Sequence, residues 1–331
     1  MRSFLIGLSL FGAVSARAVM LAPGDVAIVP VDVSVGIPEP FPGNEDYLLD
    51  SNGVYKGLAP NRFPLLTFGS NNHLFVVSGA QYVEELDSSF NELQVIEVGP
   101  TASAGLLRAT SGDFYVLDGQ YILSILTPAG QLKTSFALPN AGGMLEFFAP
   151  AFDLAPDGCT LLYADGAHTG RRFNVCTGTA LPHVAGGPTD VVRALADRGY
   201  VAVHGHWETG EFLPTSTLDF YDDADHIVRS IKLSLGAVFP YPDLTSQILD
   251  LSFDSDPRFL WVGAPGRVLK VRIADGAIVR DLYSSVVKLA VNGETRPTLA
   301  GIAAAPVPAT SSWALAALAC AIIALALRRL G

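Results

Sequence analysis

The chain has 331 residues, half of them apolar and 16% charged, and 32 acidic against 21 basic side chains give a net charge of −11. That balance argues against a nucleic-acid partner, whose phosphates call for a basic surface, while the apolar content is ample for a large core. Four of the basic residues, Arg2, Arg17, Arg328 and Arg329, sit at the two ends without any acid beside them, so the body is more acidic than the whole.

Arg2, the short apolar stretch Phe4 to Val14 and the small-x-small pattern Ala16-Arg17-Ala18 form a signal peptide expected to be cut after Ala18. An apolar run this short spans a bilayer poorly. Residues 1–18 are thus a targeting segment, 19–305 the folded body, and 306–331 a separate tail.

The body opens on three strands, Asp25 to Val29, Asp46 to Asp50 and Val54 to Leu58, without a first partner. Five copies of one apolar strand follow, each leading into a tight turn. They are Leu74 to Gly79, Phe114 to Gly119, Leu161 to Gly166, Tyr200 to Gly205 and Phe259 to Ala264, at spacings of 40, 47, 39 and 59 residues. An apolar strand and a turn precede each copy, and further strands follow, as in Ala277 to Tyr283. Four short antiparallel strands every 40 to 50 residues is the period of a propeller blade. Pro297 to Ala305, with Leu299-Ala300-Gly301-Ile302-Ala303, reads as a lone first strand that closes the ring on the N-terminal blade. The expected fold is all-β: a six-bladed β-propeller of four-stranded blades closed by the C-terminal strand. The 59-residue spacing leaves room for a further divergent blade. The segment Asp157 to Gly166, Asp-Gly-Cys-Thr-Leu-Leu-Tyr-Ala-Asp-Gly, also resembles the strand-turn pattern of NHL and gluconolactonase-type propellers, a likeness that speaks to fold more than activity.

Three cysteines occur, and Cys320 lies in the tail. Cys159 and Cys176 begin and end one predicted hairpin, so an oxidising compartment would join them as a disulfide. The alternative is two unrelated buried thiols.

Loops after second strands and those between blades share one face, and Ser78, Asp118, Asp165, His204 and Gly263 are equivalent positions there. Two carboxylates and an imidazole converging on the axis would hold Ca²⁺ or polarise a carbonyl or lactone. The plainer alternative is that Asp before Gly satisfies turn amides through its own side chain. In His204-Gly205-His206-Trp207-Glu208, alternation would put His204, His206 and Glu208 on one side, a set compatible with Zn²⁺, and leave Trp207 to stack on a sugar. Tyr241, in Phe239-Pro240-Tyr241-Pro242, would add to an aromatic rim on that face, although such loops often pack on themselves. The chain carries no Gly-x-Ser-x-Gly elbow, His-Glu-x-x-His, phosphate loop or dinucleotide fingerprint.

The tail begins with Pro306-Val307-Pro308 and a polar break, Thr310-Ser311-Ser312, and continues as an apolar run from Trp313 to Leu327 closed by Arg328 and Arg329. Such a helix is short for a bilayer, and the arginines place its end in the cytoplasm. Pro308, Ser311 and Trp313 keep the spacing of a known bacterial sorting signal. The tail resembles the exosortase-type PEP-CTERM signals and, more closely, their IPTL-CTERM relatives. Val307 stands for Ile, Ala309-Thr310 for Thr-Leu and Ala314 for a frequent Gly. The resemblance implies an exosortase-type processing enzyme, transient tethering in the inner membrane, and cutting near the Pro-Ser-Trp motif. A permanent single-pass anchor is the alternative.

Taken together, the residues read as an exported envelope or extracellular propeller with no required cofactor, non-catalytic, binding extracellular polysaccharide or a protein partner. The competing reading is a metal-dependent lactonase-like hydrolase working at the same face.

Overall fold

The computed structural model describes residues 19–29, 46–59, 65–69, 71–78, 81–98, 105–140, 152–204, 207–208, 211–212, 215–235, 248, 250–264, 266–283 and 288–304. The signal segment, the tail with Pro308, Ser311, Trp313, Arg328 and Arg329, and the loop bearing Tyr241 lie outside them. Among the described residues no helix is long and apolar enough to cross a membrane.

Six four-stranded antiparallel sheets form the blades of a β-propeller. Their first strands are Leu66–Phe68, Gly105–Arg108, Phe152–Leu154, Val191–Ala194, Asp250–Phe253 and Lys288–Val291, for blades 1 to 6 in order. These line the axis, each beside the next, and the sixth returns to the first. The long spacing in blade 4 holds a small hairpin, Trp207–Glu208 with Glu211–Phe212, between the second strand Tyr200–His204 and the third, Thr215–Tyr221; it does not hold a seventh blade.

Second strands are continuous apolar runs because both of their faces are covered. Alternate side chains enter opposite seams between blades. Val26 and Ile28 pack with Trp261 and Val268 of blade 5, whereas Ala27 and Val29 pack with Leu74 and Val76 of blade 1. The buried apolar residues accordingly fall into six clusters, one for each seam. Fourth strands cover less and are more polar, as in the largely exposed Glu92–Glu97. Where first strands crowd together, a side chain is too much: a Cβ on Gly105 would lie 2.3 Å from the Phe152 ring of the next blade.

Closure is by a C-terminal strand, but not the expected one. Lys288–Val291 pairs with Val26–Val29, so blade 6 combines one C-terminal strand with the three N-terminal ones. Pro297 to Ala305 is not a strand, since Leu299–Ala304 is a helix. Pro297 cannot donate to a ladder. The helix instead turns Leu299 and Ile302, three residues apart, onto the core of blades 4 and 5. Its first amide, at Leu299, donates to Asp197 Oδ2 at 2.6 Å.

Between strand and helix, residues 292–297 cross the axis beneath the turns that join first and second strands. Thr295 donates its amide to the Asp254 carbonyl of blade 5, and Ala196 of blade 4 donates to Pro297. One face of the ring is thereby crossed by the chain's own C-terminal segment, and the opposite face carries the inserted hairpin.

Cys159 and Cys176 are joined by a disulfide that ties the first turn of blade 3 to its last, with Cα atoms 5.2 Å apart. The bridge closes a loop across a sequence separation of 17, for which chain entropy gives about 3 kcal/mol. Replacing both cysteines by serine is expected to lower the unfolding free energy by about that amount, read as a lower urea midpoint. An unchanged midpoint would show that the bond adds nothing to stability.

Candidate functional site

Five tight turns in this ring are built alike. Asp50, Asp87, Asp118, Asp165 and Asp222 each accept, on Oδ1, the amides two and four residues further on. The residue three positions on, Gly53, Phe90, Tyr121, His168 or Asp225, has positive φ and returns its amide to the aspartate carbonyl. A carboxylate that caps its own turn lets even non-glycine residues take that conformation. Asp118 and Asp165 lie on the loop face, whereas Asp50, Asp87 and Asp222 follow third strands on the other face. The same acid therefore serves the same turn on both sides. Asp165 also uses its second oxygen, on Nε of Arg171, whose Nη1 meets His183 Nε2 at 3.2 Å.

His204 ends its strand with both ring nitrogens in contact, Nδ1 with the Pro188 carbonyl at 3.0 Å and Nε2 with the Tyr221 hydroxyl at 3.1 Å. Asp219 Oδ2 lies 3.6 Å from Nε2. The ring thus braces the loop between blades 3 and 4 against blade 4. His206 and the side chains of Trp207 and Glu208 lie outside the described residues. Among those described, no three His, Cys, Asp or Glu side chains gather as a metal would require. In the hairpin itself the backbone pairs Trp207 with Phe212 and Glu208 with Glu211.

Beside these, His168 Nδ1 lies 2.9 Å from Asp190 Oδ1, joining the turn of blade 3 to the loop that follows that blade. The hydrogen bond to the Asp190 carboxylate holds the His168 pKa above its ordinary 6.5, against the opposing effect of burial.

A second concentration of polar chemistry lies on the axis, in the first strands. Arg193 of blade 4 reaches three groups: Nε to Asp153 Oδ2 of blade 3 at 3.1 Å, Nη1 to the Leu251 carbonyl of blade 5 at 2.5 Å, and Nη2 to Glu294 Oε1 at 2.5 Å. Ser252 Oγ donates to the other Glu294 oxygen. Arg296 completes the set through Asp153 Oδ1 at 2.6 Å and the Leu154 carbonyl. Burial alone would raise the Asp153 pKa, but Arg296 and Arg193 outweigh it and hold the carboxyl below its ordinary value. For Arg193 burial is likewise outweighed, by Glu294 and Asp153, and the guanidinium stays charged.

Aspartate also stitches neighbouring first strands directly. Asp153 takes the amides of Leu154 and of Ala194 in the next blade. Asp250 repeats this with Leu251 and with Leu289 of the next blade. None of these residues stood out among the candidates read from sequence. The available signal was an ionisable residue inside an apolar strand, as in Phe152-Asp153-Leu154, Leu249-Asp250-Leu251 and Val192-Arg193-Ala194.

No protein family's model matches this sequence, and no curated protein does. Among solved structures the chain is similar to a protein of unknown function from Bacteroides caccae, with a TM-score of 0.55 and 10% identity over 82% of this chain and 100% of that one. At that identity the likeness concerns the fold alone. As many as 1447 solved chains match, and a fold so widely shared assigns no activity.

Two outcomes follow from the geometry. Arg193→Leu strands Glu294 and half of Asp153, which for a broken buried ion pair costs about 3–5 kcal/mol; Ser252→Ala, which removes one hydrogen bond, costs under about 1.5 kcal/mol. Equal losses in denaturant titrations would refute the assignment. His168 should titrate above its ordinary value by NMR and fall back toward it in Asp190→Asn. Because the folded pKa is raised, the contact's contribution is complete below pH about 6.5 and fades as pH rises through the folded value.

Proposed function

We propose that the chain is an exported, non-catalytic propeller that binds extracellular polysaccharide through the loop face of the ring. The observation that carries this reading is the hairpin inserted in blade 4, whose backbone register pairs Trp207 with Phe212, on the face of Asp118, Asp165 and His204. Aromatic rings held on a hairpin offer flat apolar contact to sugar rings, and Tyr241 follows in the next loop insertion. The non-catalytic part is supported by the occupation of Asp118, Asp165 and His204, which are spent on turn amides and loop bracing.

Export is supported by the Ala16-Arg17-Ala18 pattern and by the Cys159–Cys176 bond, since disulfides persist in oxidising compartments. In this reading an exosortase-type enzyme processes the tail near Pro308, Ser311 and Trp313 while Arg328 and Arg329 hold it at the inner membrane. The described chain ends in the helix on the crossed face, so a tether there leaves the hairpin face turned outward.

The test is retention of the purified protein on matrix polysaccharide from its host. Trp207→Ala combined with Tyr241→Ala should weaken it at least about tenfold, as loss of an aromatic anchor does, with the thermal midpoint unchanged. Retention equal to wild type would remove polysaccharide as the ligand and leave a protein partner as the occupant of that face.

A further inference from the structure

The axis is not filled. A cavity of about 360 Å³ lies between the first strands of blades 1, 2 and 6 and the crossing segment, with Thr67, Asn72 and Ser252 in its wall. This is the lower end of the roughly 300–1,000 Å³ that small-molecule sites occupy. Blades 3 to 6 are stitched by the ionic network described above, whereas the first strands of blades 1 and 2, Leu66-Thr67-Phe68 and Gly105-Leu106-Leu107-Arg108, carry no acid.

Charged side chains line this cavity and meet one another across it. Arg108, Arg193, Lys288 and Arg296 line it; Arg193, Lys288 and Arg296 meet Asp153, Asp250 and Glu294, while Arg108 lies in the field of Glu85 and Asp113. Arg193 and Arg296 are fully engaged. Arg108 has a buried Nη1 that donates to nothing, and its guanidinium lies 4.1 Å and 4.4 Å from the Phe75 and Phe114 ring centres.

Lys288 is different. Its side chain is 12% exposed, and its nearest carboxylate oxygen, Asp250 Oδ2, is 3.8 Å away, beyond hydrogen-bonding distance. Both Asp250 oxygens already accept backbone amides. Among the described residues the ammonium donates no hydrogen bond, although it carries three donors.

We propose that this axial cavity binds a small organic or inorganic oxyanion, whose carboxylate or phosphate group is received by the Lys288 ammonium. The guest supplies the acceptors that the ammonium lacks, in a space where a charge is poorly screened. The acidic exterior disfavours large polyanions, and a volume of about 360 Å³ limits the guest to a small molecule. The cavity lies on the axis, with Lys288 at the end of its strand nearer the loop face; the hairpin of blade 4 does not line it, and neither reading depends on the other.

The experiment uses the intact folded protein, with thermal midpoints and calorimetric titrations in succinate, inorganic phosphate and the uncharged succinamide. A saturable rise in midpoint with an anion, absent with succinamide, is the expected result; the larger response, to succinate or to phosphate, identifies the group received. Lys288→Gln should lower affinity at least about tenfold. Thr67→Leu, which narrows the cavity without touching a charge, should also weaken binding and carries the test if the lysine variant does not fold. The proposal is overturned if wild type responds to neither anion, if succinamide performs equally, or if Lys288→Gln keeps the full response.

Discussion

Six first strands meeting around an axis present a backbone problem, because each has one edge with no fourth-strand neighbour to pair with. Unmet amides and carbonyls there would be costly. In this protein the edges are met by ionised side chains from adjacent blades: Asp153 and Asp250 take amides of the following strand, and Arg193 gives to the Leu251 carbonyl. The charges brought in for that purpose then neutralise one another through Glu294 and Arg296. Closure of the ring and placement of the crossing segment both follow from this arrangement.

The crossing segment ties closure to polarity of the molecule. Lys288–Val291 completes the blade begun near the N-terminus, and the chain must then leave from the axis. It does so beneath the ring, where Glu294 and Arg296 enter the network and the helix docks on blades 4 and 5. The two faces are therefore unequal. One is occupied by the chain's own exit, and the other is free for the hairpin and for long loops.

The turn aspartates explain why the loop face is hard to read for chemistry. Asp118 and Asp165 occupy equivalent positions at the ends of second strands, which is also where a convergent site would place its acids. Asp50, Asp87 and Asp222 repeat their hydrogen bonds on the other face. A carboxylate that accepts two amides of its own turn is accounted for by local backbone geometry, so its presence at a mouth carries no information about a ligand. Two of the acids that do join distant parts of the chain, Asp153 and Asp250, lie within strands instead.

What the sequence by itself determined is local. The apolar second strands, the turns after them, the repeat and the six-blade count were legible because each depends on residues a few positions apart: strand alternation has a period of two, and the capped turn spans five residues. The half-blade at the N-terminus was legible for the same reason, as three strands without a first. The identity of the closing strand was not, since Lys288-Leu289-Ala290-Val291 and Leu299-Ala300-Gly301-Ile302 are both short and apolar. Only packing onto blade 4 makes the second a helix. The axial network was decided by tertiary structure alone. Arg193 meets Glu294 across 101 positions and Arg296 meets Asp153 across 143, and no local pattern brings such residues together. The closed ring does so, by forcing six strands from the whole chain onto one axis where charges must find partners.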